Sequence, residues 1–188
     1  MNDIIIFGAS GDISSKKVLP GLFEWYQDNQ NNVKDNQDIL FNKIIGYGRS
    51  DISEEKFREK IVNNKNLSDA SEKGKKSFSE KATYIQGQYN ELFGFLKINK
   101  YLNSFKNPNT PLILYFGVPS SVAPGIIKQI VDSNIDSLYD CKYILEKPIG
   151  VNLEGAKNIL GEIDRLINSE KLFILDHYLA KTNIFKNK

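Results

Sequence analysis

DIIIFGASGD, residues 3–12, is the stretch on which the fold turns. Three isoleucines and a phenylalanine run without interruption into Gly8, and Gly11 follows three positions later. A short apolar run closed by a turn signal reads as a buried strand. Residues 14–28 then carry Val18, Leu19, Leu22, Phe23 and Tyr26 at helical spacing. The order is therefore strand, glycine turn, helix. Glycine allows a tight turn and close approach of the backbone to a pyrophosphate. The helix N-terminus adds unpaired N–H groups and a partial positive charge. The spacing is Gly-x-x-Gly, because Ile6 stands where a fuller Gly-x-Gly-x-x-Gly motif has its first glycine. Taken alone the turn also reads as a plain strand-to-helix connection. A strand before it and a helix after it are the context that the dinucleotide fingerprint requires.

The same alternation continues outward. Strands are expected at residues 43–47, 83–86, 112–118, 142–145 and 172–175. A helix toward residue 64 opens with a capping box formed by Asp51 and Glu54. Another occupies residues 91–105. Ser120 or Ser121 caps a further helix, whose apolar side includes Val122, Ile126, Ile127, Ile130 and Val131. Residues 152–167 form the last helix, with Leu153, Ala156, Ile159, Leu160 and Ile163 facing inward. Residues 29–42 read mostly as loop, 66–79 as a surface helix or loop, and 107–111 as a turn. Strands alternating with helices predict an α/β protein: a doubly wound parallel sheet of the Rossmann-like dinucleotide-binding class. Without a repeat or linker, residues 1–188 read as a single dinucleotide-binding domain.

Composition narrows the function. The 188 residues are 40% hydrophobic and 26% charged, a soluble globular balance. No stretch approaches the roughly 20 apolar residues of a membrane helix. No basic region precedes the first apolar run, so it does not read as a signal peptide. A net charge of +2 gives no case for nucleic acid. The single cysteine, Cys141, forms no internal disulfide and no multi-cysteine zinc site. It is expected to be buried and inert, no metal is expected, and a reducing cytoplasm is the expected location.

Ligands of doubly wound sheets sit beyond the carboxyl ends of the strands. The second strand ends Gly46-Tyr47-Gly48-Arg49-Ser50, with no carboxylate before Asp51. NAD-selective folds place an acidic residue near here for the ribose 2′-hydroxyl. Arg49 instead offers a two-pronged phosphate contact and a plane to stack on adenine, and Ser50 adds a hydroxyl. The pair favours NADP. The fourth strand runs into Pro119, the fifth into Glu146-Lys147-Pro148-Ile149-Gly150, and the sixth into Asp176-His177-Tyr178-Leu179-Ala180-Lys181. With Lys16 and Lys17 these ends suit an anionic substrate beside a nicotinamide. Lys147-Pro148 is a candidate cis peptide.

Five segments carry a resemblance: FGASGDISSKKVLPGLF (7–23), IIGYGRSDIS (44–53), LYFGVPSSV (114–122), YILEKPIGVNLEGAKNI (143–159) and FILDHYLAK (173–181). In order and spacing they resemble the N-terminal coenzyme domain of glucose-6-phosphate dehydrogenases over nearly the whole chain. That family passes hydride from C1 of glucose 6-phosphate to NADP, in the pentose phosphate pathway. The resemblance implies coenzyme contacts at Gly8, Ser10, Gly11, Asp12, Ile13, Arg49, Ser50, Pro119, Lys147 and Pro148. It implies substrate contacts at Lys17, Lys147, His177, Tyr178 and Lys181, with Lys147 and Asp176 catalytic. The family's usual RIDHYLGKE is altered here to Ile174, Ala180 and Thr182. The chain stops before the family's second domain, which supplies the general-base histidine, so it is expected to be incomplete for catalysis alone. A separate chain carrying that half, or self-association through the uncovered face around residues 173–175 and 184–185, is expected. The alternative reading is a catalytically silent NADP-binding module.

Overall fold

The computed structural model describes residues 2–31, 41–67 and 71–176. Six strands form one sheet: β1 (Asn2–Phe7), β2 (Phe41–Gly48), β3 (Ala82–Gln86), β4 (Pro111–Phe116), β5 (Asp140–Glu146) and β6 (Leu172–Leu175). Their order is β3-β2-β1-β4-β5-β6, and every neighbouring pair is parallel. The chain thus starts in the middle of the sheet, builds outward to one edge, and returns to build the other. That is the doubly wound arrangement, with its switch point between β1 and β4.

Alternation along β1 divides the core. Ile4 and Ile6 face a cluster with Phe23, Phe57, Ile61 and Phe78. These come from α1 (Leu19–Asn31), α2 (Glu54–Val62) and α3 (Glu72–Ser79). Ile5 and Phe7 face the opposite cluster, with Phe95, Ile98, Ile126 and Ile163. Those belong to α4 (Leu92–Asn103), α5 (Ala123–Asp132) and α7 (Leu153–Asp164), while the short α6 (Ile135–Leu138) leads into β5. Helices therefore cover both faces of the sheet, which is why the strands read as continuous apolar runs.

Several local expectations are corrected. Residues 29–31 continue α1, and β2 begins at Phe41; the positions between lie outside the described residues. The cap of α2 is Ser53, whose hydroxyl accepts from Lys56 N at 3.2 Å, in place of the Asp51–Glu54 box. Ser53 has the extended backbone that an N-cap needs and an oxygen three residues before a free N–H. Of the surface helix or loop expected over residues 66–79, residues 72–79 take the helix, and its Phe78 is fully buried, so the helix also packs on the core. In α7 only Ile163 is fully buried; Leu153 is 72% exposed beside the wholly exposed Val151. The first turn of α7 therefore leaves its apolar residues uncovered. The helix after the glycine turn begins as a π-helical turn, Ser14–Val18.

At the amino ends of the strands, Lys106 and Asp3 form a buried ion pair at 2.7 Å. Asp3 also accepts from Lys43 N, and Lys106 donates to Pro111 O. Cys141 is fully buried, and burial pushes its thiol up to about 12. The thiolate is the reactive form. Cys141 will therefore resist a thiol reagent at pH 8 in the folded protein and react promptly in denaturant, as followed by mass shift.

Candidate functional site

The turn after β1 is fixed by its neighbours on both sides. Gly8 N and Ala9 N donate to Tyr47 O of β2, at 2.9 and 3.3 Å. Gly117 N, just past β4, donates to Phe7 O at 2.9 Å. The Gly8 carbonyl accepts from Gly11 N at 3.0 Å and from the Ser14 hydroxyl at 2.9 Å. Gly8 has φ +82, and a Cβ there would lie 2.4 Å from Gly117 O. Only glycine fits both the backbone angle and the gap. The result is a bare backbone cradle at a helix N-terminus, the arrangement that holds a pyrophosphate. The residues present fit the phosphate bridge of a dinucleotide.

A cleft of about 980 Å³ opens above this turn. Gly8, Ser10 and Gly11 form its floor, and Arg49 and Ser50 one side. Ser10 and Ser50 share a hydrogen bond of 2.8 Å, which ties the glycine turn to the end of β2. The Tyr84 hydroxyl donates to Ser50 O at 3.0 Å, fixing the same corner from β3. The Arg49 guanidinium stands 5.6 Å from the centroid of the Tyr89 ring. A cation over an aromatic face leaves two planes near one another, at the place where an adenine would stack. Burial raises the Tyr89 phenol above its ordinary value, so the ring facing Arg49 stays un-ionised at physiological pH.

A second hollow of about 380 Å³ adjoins the cleft and shares Gly117, Val118 and Pro119 with it. Ile13, Glu146, Lys147 and Pro148 line it. The Lys147-Pro148 peptide is cis. Lys147 N donates to Leu175 O at 3.0 Å, and its ammonium pairs with Asp176 at 3.1 Å. The Tyr115 hydroxyl donates to the Glu146 carboxylate.

Of the residues singled out in the sequence, Gly8, Ser10, Gly11, Arg49, Ser50 and Pro119 meet in the larger cleft. Ile13, Pro119, Lys147 and Pro148 meet in the smaller one, with Asp176 against Lys147. Asp12 and Lys17 enter neither lining. Asp12 is exposed and paired with Lys16 at 2.7 Å, and the hydrogen bond from Lys16 holds its carboxyl below the usual range. His177, Tyr178 and Lys181, like residues 184–185, lie outside the described residues. Gln88 and Tyr89 were not singled out, yet both line the larger cleft. Their signal was position: they directly follow β3, whose carboxyl end shares the sheet edge with those of β1 and β2. Among the described residues no cluster of His, Cys, Asp and Glu could hold a metal ion, and no helix is long and apolar enough to cross a membrane.

Comparison with known proteins agrees with this geometry. Residues 5–187 match the family described as glucose-6-phosphate dehydrogenase, NAD binding domain. The chain is 32% identical to the glucose-6-phosphate 1-dehydrogenase of Kluyveromyces lactis, over 95% of this chain and 36% of that one. It is 31% identical to the cytoplasmic glucose-6-phosphate 1-dehydrogenase 6 of Arabidopsis thaliana, with the same coverage of 95% and 36%. Among solved structures, a glucose-6-phosphate dehydrogenase in complex with its substrate glucose-6-phosphate superposes with a TM-score of 0.81 at 28% identity, over 96% of this chain and 37% of the other. The chain spans about a third of the length of the curated relatives it matches. With a strand-order switch at a bare glycine turn and a cleft along the strand ends already in place, the match over residues 5–187 shows that the chain belongs to the glucose-6-phosphate dehydrogenase family through its NAD-binding domain.

Proposed function

We propose that these 188 residues bind NADP and form the coenzyme part of a glucose-6-phosphate dehydrogenase. The observation that carries the reading is the corner at the end of β2. Arg49, Ser10 and Ser50 meet there in the cleft, with no carboxylate where NAD-selective folds place one. A carboxylate would repel a 2′-phosphate, whereas an arginine fork and two hydroxyls suit it. In this reading Arg49 also stacks on the adenine together with Tyr89. Gly8, Ser10 and Gly11 hold the pyrophosphate, with Asp12 and Ile13 at the helix entrance. Pro119, Lys147 and Pro148 surround the nicotinamide.

NADP supplies the hydride acceptor when bound. Oxidation of the C1 hydroxyl of glucose 6-phosphate to the lactone moves the C1 hydrogen as hydride and the hydroxyl proton to a base. Lys147 binds a sugar hydroxyl beside the nicotinamide, and Asp176 orients that ammonium from 3.1 Å. His177, Tyr178 and Lys181 hold the sugar phosphate, with Lys17 nearby. The base belongs to sequence outside these 188 residues, on the same chain or another. Phe173, Ile174 and Leu175 on the edge strand are 49%, 41% and 39% exposed, which supports a covering domain or self-association there. A cytoplasmic location is in keeping with the cytoplasmic Arabidopsis relative.

Calorimetric titration with NADP and then NAD tests the reading. NADP is expected to bind more tightly. Arg49→Ala should weaken NADP about 10- to 100-fold, the range for losing hydrogen bonds to a charged group, and leave NAD within a few-fold. Failure of the wild-type chain to bind either coenzyme, or equal loss of both in the variant, overturns it. Reduced coenzyme appearing on addition of glucose 6-phosphate to this chain alone would place the base inside it.

A further inference from the structure

Ser120 stands where a helix cap was expected, as the first residue of the short turn Ser120–Val122 that leads into α5. It does not cap. The N-cap of α5 is Val122, with no side-chain hydrogen bond, so the helix forgoes a contribution that a serine supplies readily. The Ser120 hydroxyl instead accepts from Gly150 N at 3.0 Å, across the smaller hollow. Residues that break a local rule are where a functional demand is to be sought.

The partner of this bond is itself rigidly placed. Gly150 has φ +68, and a Cβ on it would lie 2.5 Å from Ala156 N in α7. The loop from Lys147 to Gly150 is therefore pressed on the first turns of α7. At its entrance it is held by Lys147 N on Leu175 O and by Tyr115 on Glu146. At its exit it is held by Ser120. The two loops joined in this way carry Pro119 on one side of the hollow and Lys147 and Pro148 on the other.

We propose that Ser120 is a positioning residue, whose hydroxyl fixes the width of the hollow that takes the nicotinamide half of the coenzyme. It acts through Gly150 on Lys147 and Pro148 and needs no contact with the ligand. The inference rests on the coenzyme reading above. The adenosine half lies in the larger cleft at Arg49 and Tyr89, which Ser120 does not line. The two halves of the ligand are therefore expected to respond differently.

The test compares NADP with 2′,5′-ADP, which lacks the nicotinamide, on the full 188-residue chain. Ser120→Ala should weaken NADP about fivefold, the scale of one neutral hydrogen bond, and leave 2′,5′-ADP unchanged. Ser120→Thr keeps the hydroxyl and should restore NADP affinity. An unchanged affinity for 2′,5′-ADP also shows that the variant is folded. Equal weakening of both ligands, no weakening of NADP, or a threonine variant that behaves like alanine would each overturn the proposal. If wild-type protein binds neither ligand, the coenzyme reading itself fails, which is a separate result.

Discussion

Gly8→Val is expected to abolish coenzyme binding and to lower stability by about 3 kcal/mol or more, since it combines two of the mechanisms behind large mutational losses. A β-branched residue at φ +82 is a true outlier, and the strain alone is on the order of 1–3 kcal/mol. The added atoms also meet backbone. A Cβ would lie 2.4 Å from Gly117 O and 3.0 Å from the Gly117 carbonyl carbon. Neither loop can yield cheaply, because Gly117 N is bonded to Phe7 O and Gly8 N to Tyr47 O. Relief would have to part β1 from β4 at the mouth of the cleft. Calorimetry should show no heat with NADP, and the urea midpoint should fall at unchanged slope. Gly161→Ala provides the contrast. Gly161 lies in α7 with nothing within 4 Å of a built Cβ, and alanine there should stabilise by about 0.5–1 kcal/mol. A Gly8→Val protein that binds NADP normally would show that the turn is not the phosphate cradle.

Lys106→Met is the second large effect, with an expected loss of about 3–5 kcal/mol from leaving one buried charge without its partner. Asp3 and Lys106 are 5% and 3% exposed. Their pair ties the starts of β1, β2 and β4 together, through Lys43 N and Pro111 O as well as through each other. Against a total stability of about 5–15 kcal/mol this is a severe loss. The double variant Asp3→Leu with Lys106→Met should be distinctly more stable than the sum of the single changes predicts, because no lone charge remains. The pair lies at the amino ends of the strands, away from the cleft at their carboxyl ends. Coenzyme affinity of whatever fraction stays folded should therefore match the wild type. Additive single losses in a denaturant series would deny the pair its coupling.

The sheet was largely legible because its strands are buried on both faces and so appear as uninterrupted apolar runs. All six expected strands are present, within two residues at either end. The glycine turn was legible for a different reason: the strand ends on it and a helix starts directly after. What failed was whatever depends on a side chain's choice between partners. Ser120 had a helix to cap and a loop to hold, and only the position of Gly150 decides between them. Leu153 has the spacing of an inward residue, but nothing in the structure covers the first turn of its helix, so it is exposed. Nothing local to Asp3 or Lys106 announces their pairing, because they stand 103 positions apart in the sequence. In the site, Arg49 and Ser50 were found because a missing carboxylate can be read from one strand end. Tyr89 was overlooked because an aromatic after β3 has value only opposite Arg49, and that juxtaposition belongs to the sheet.

The central place of β1 bears on how the chain comes together in time. Its first strand pairs on one side with β2 and on the other with β4, whose residues emerge from the ribosome much later. Until then β1 and β2 present an unfinished parallel edge of isoleucine and phenylalanine. Contacts between distant parts of the sequence close slowly, since the loop entropy comes before the reward. The nascent protein is therefore most exposed to misassociation while residues up to 110 are out and β4 is not, an interval in which a chaperone would do the most good.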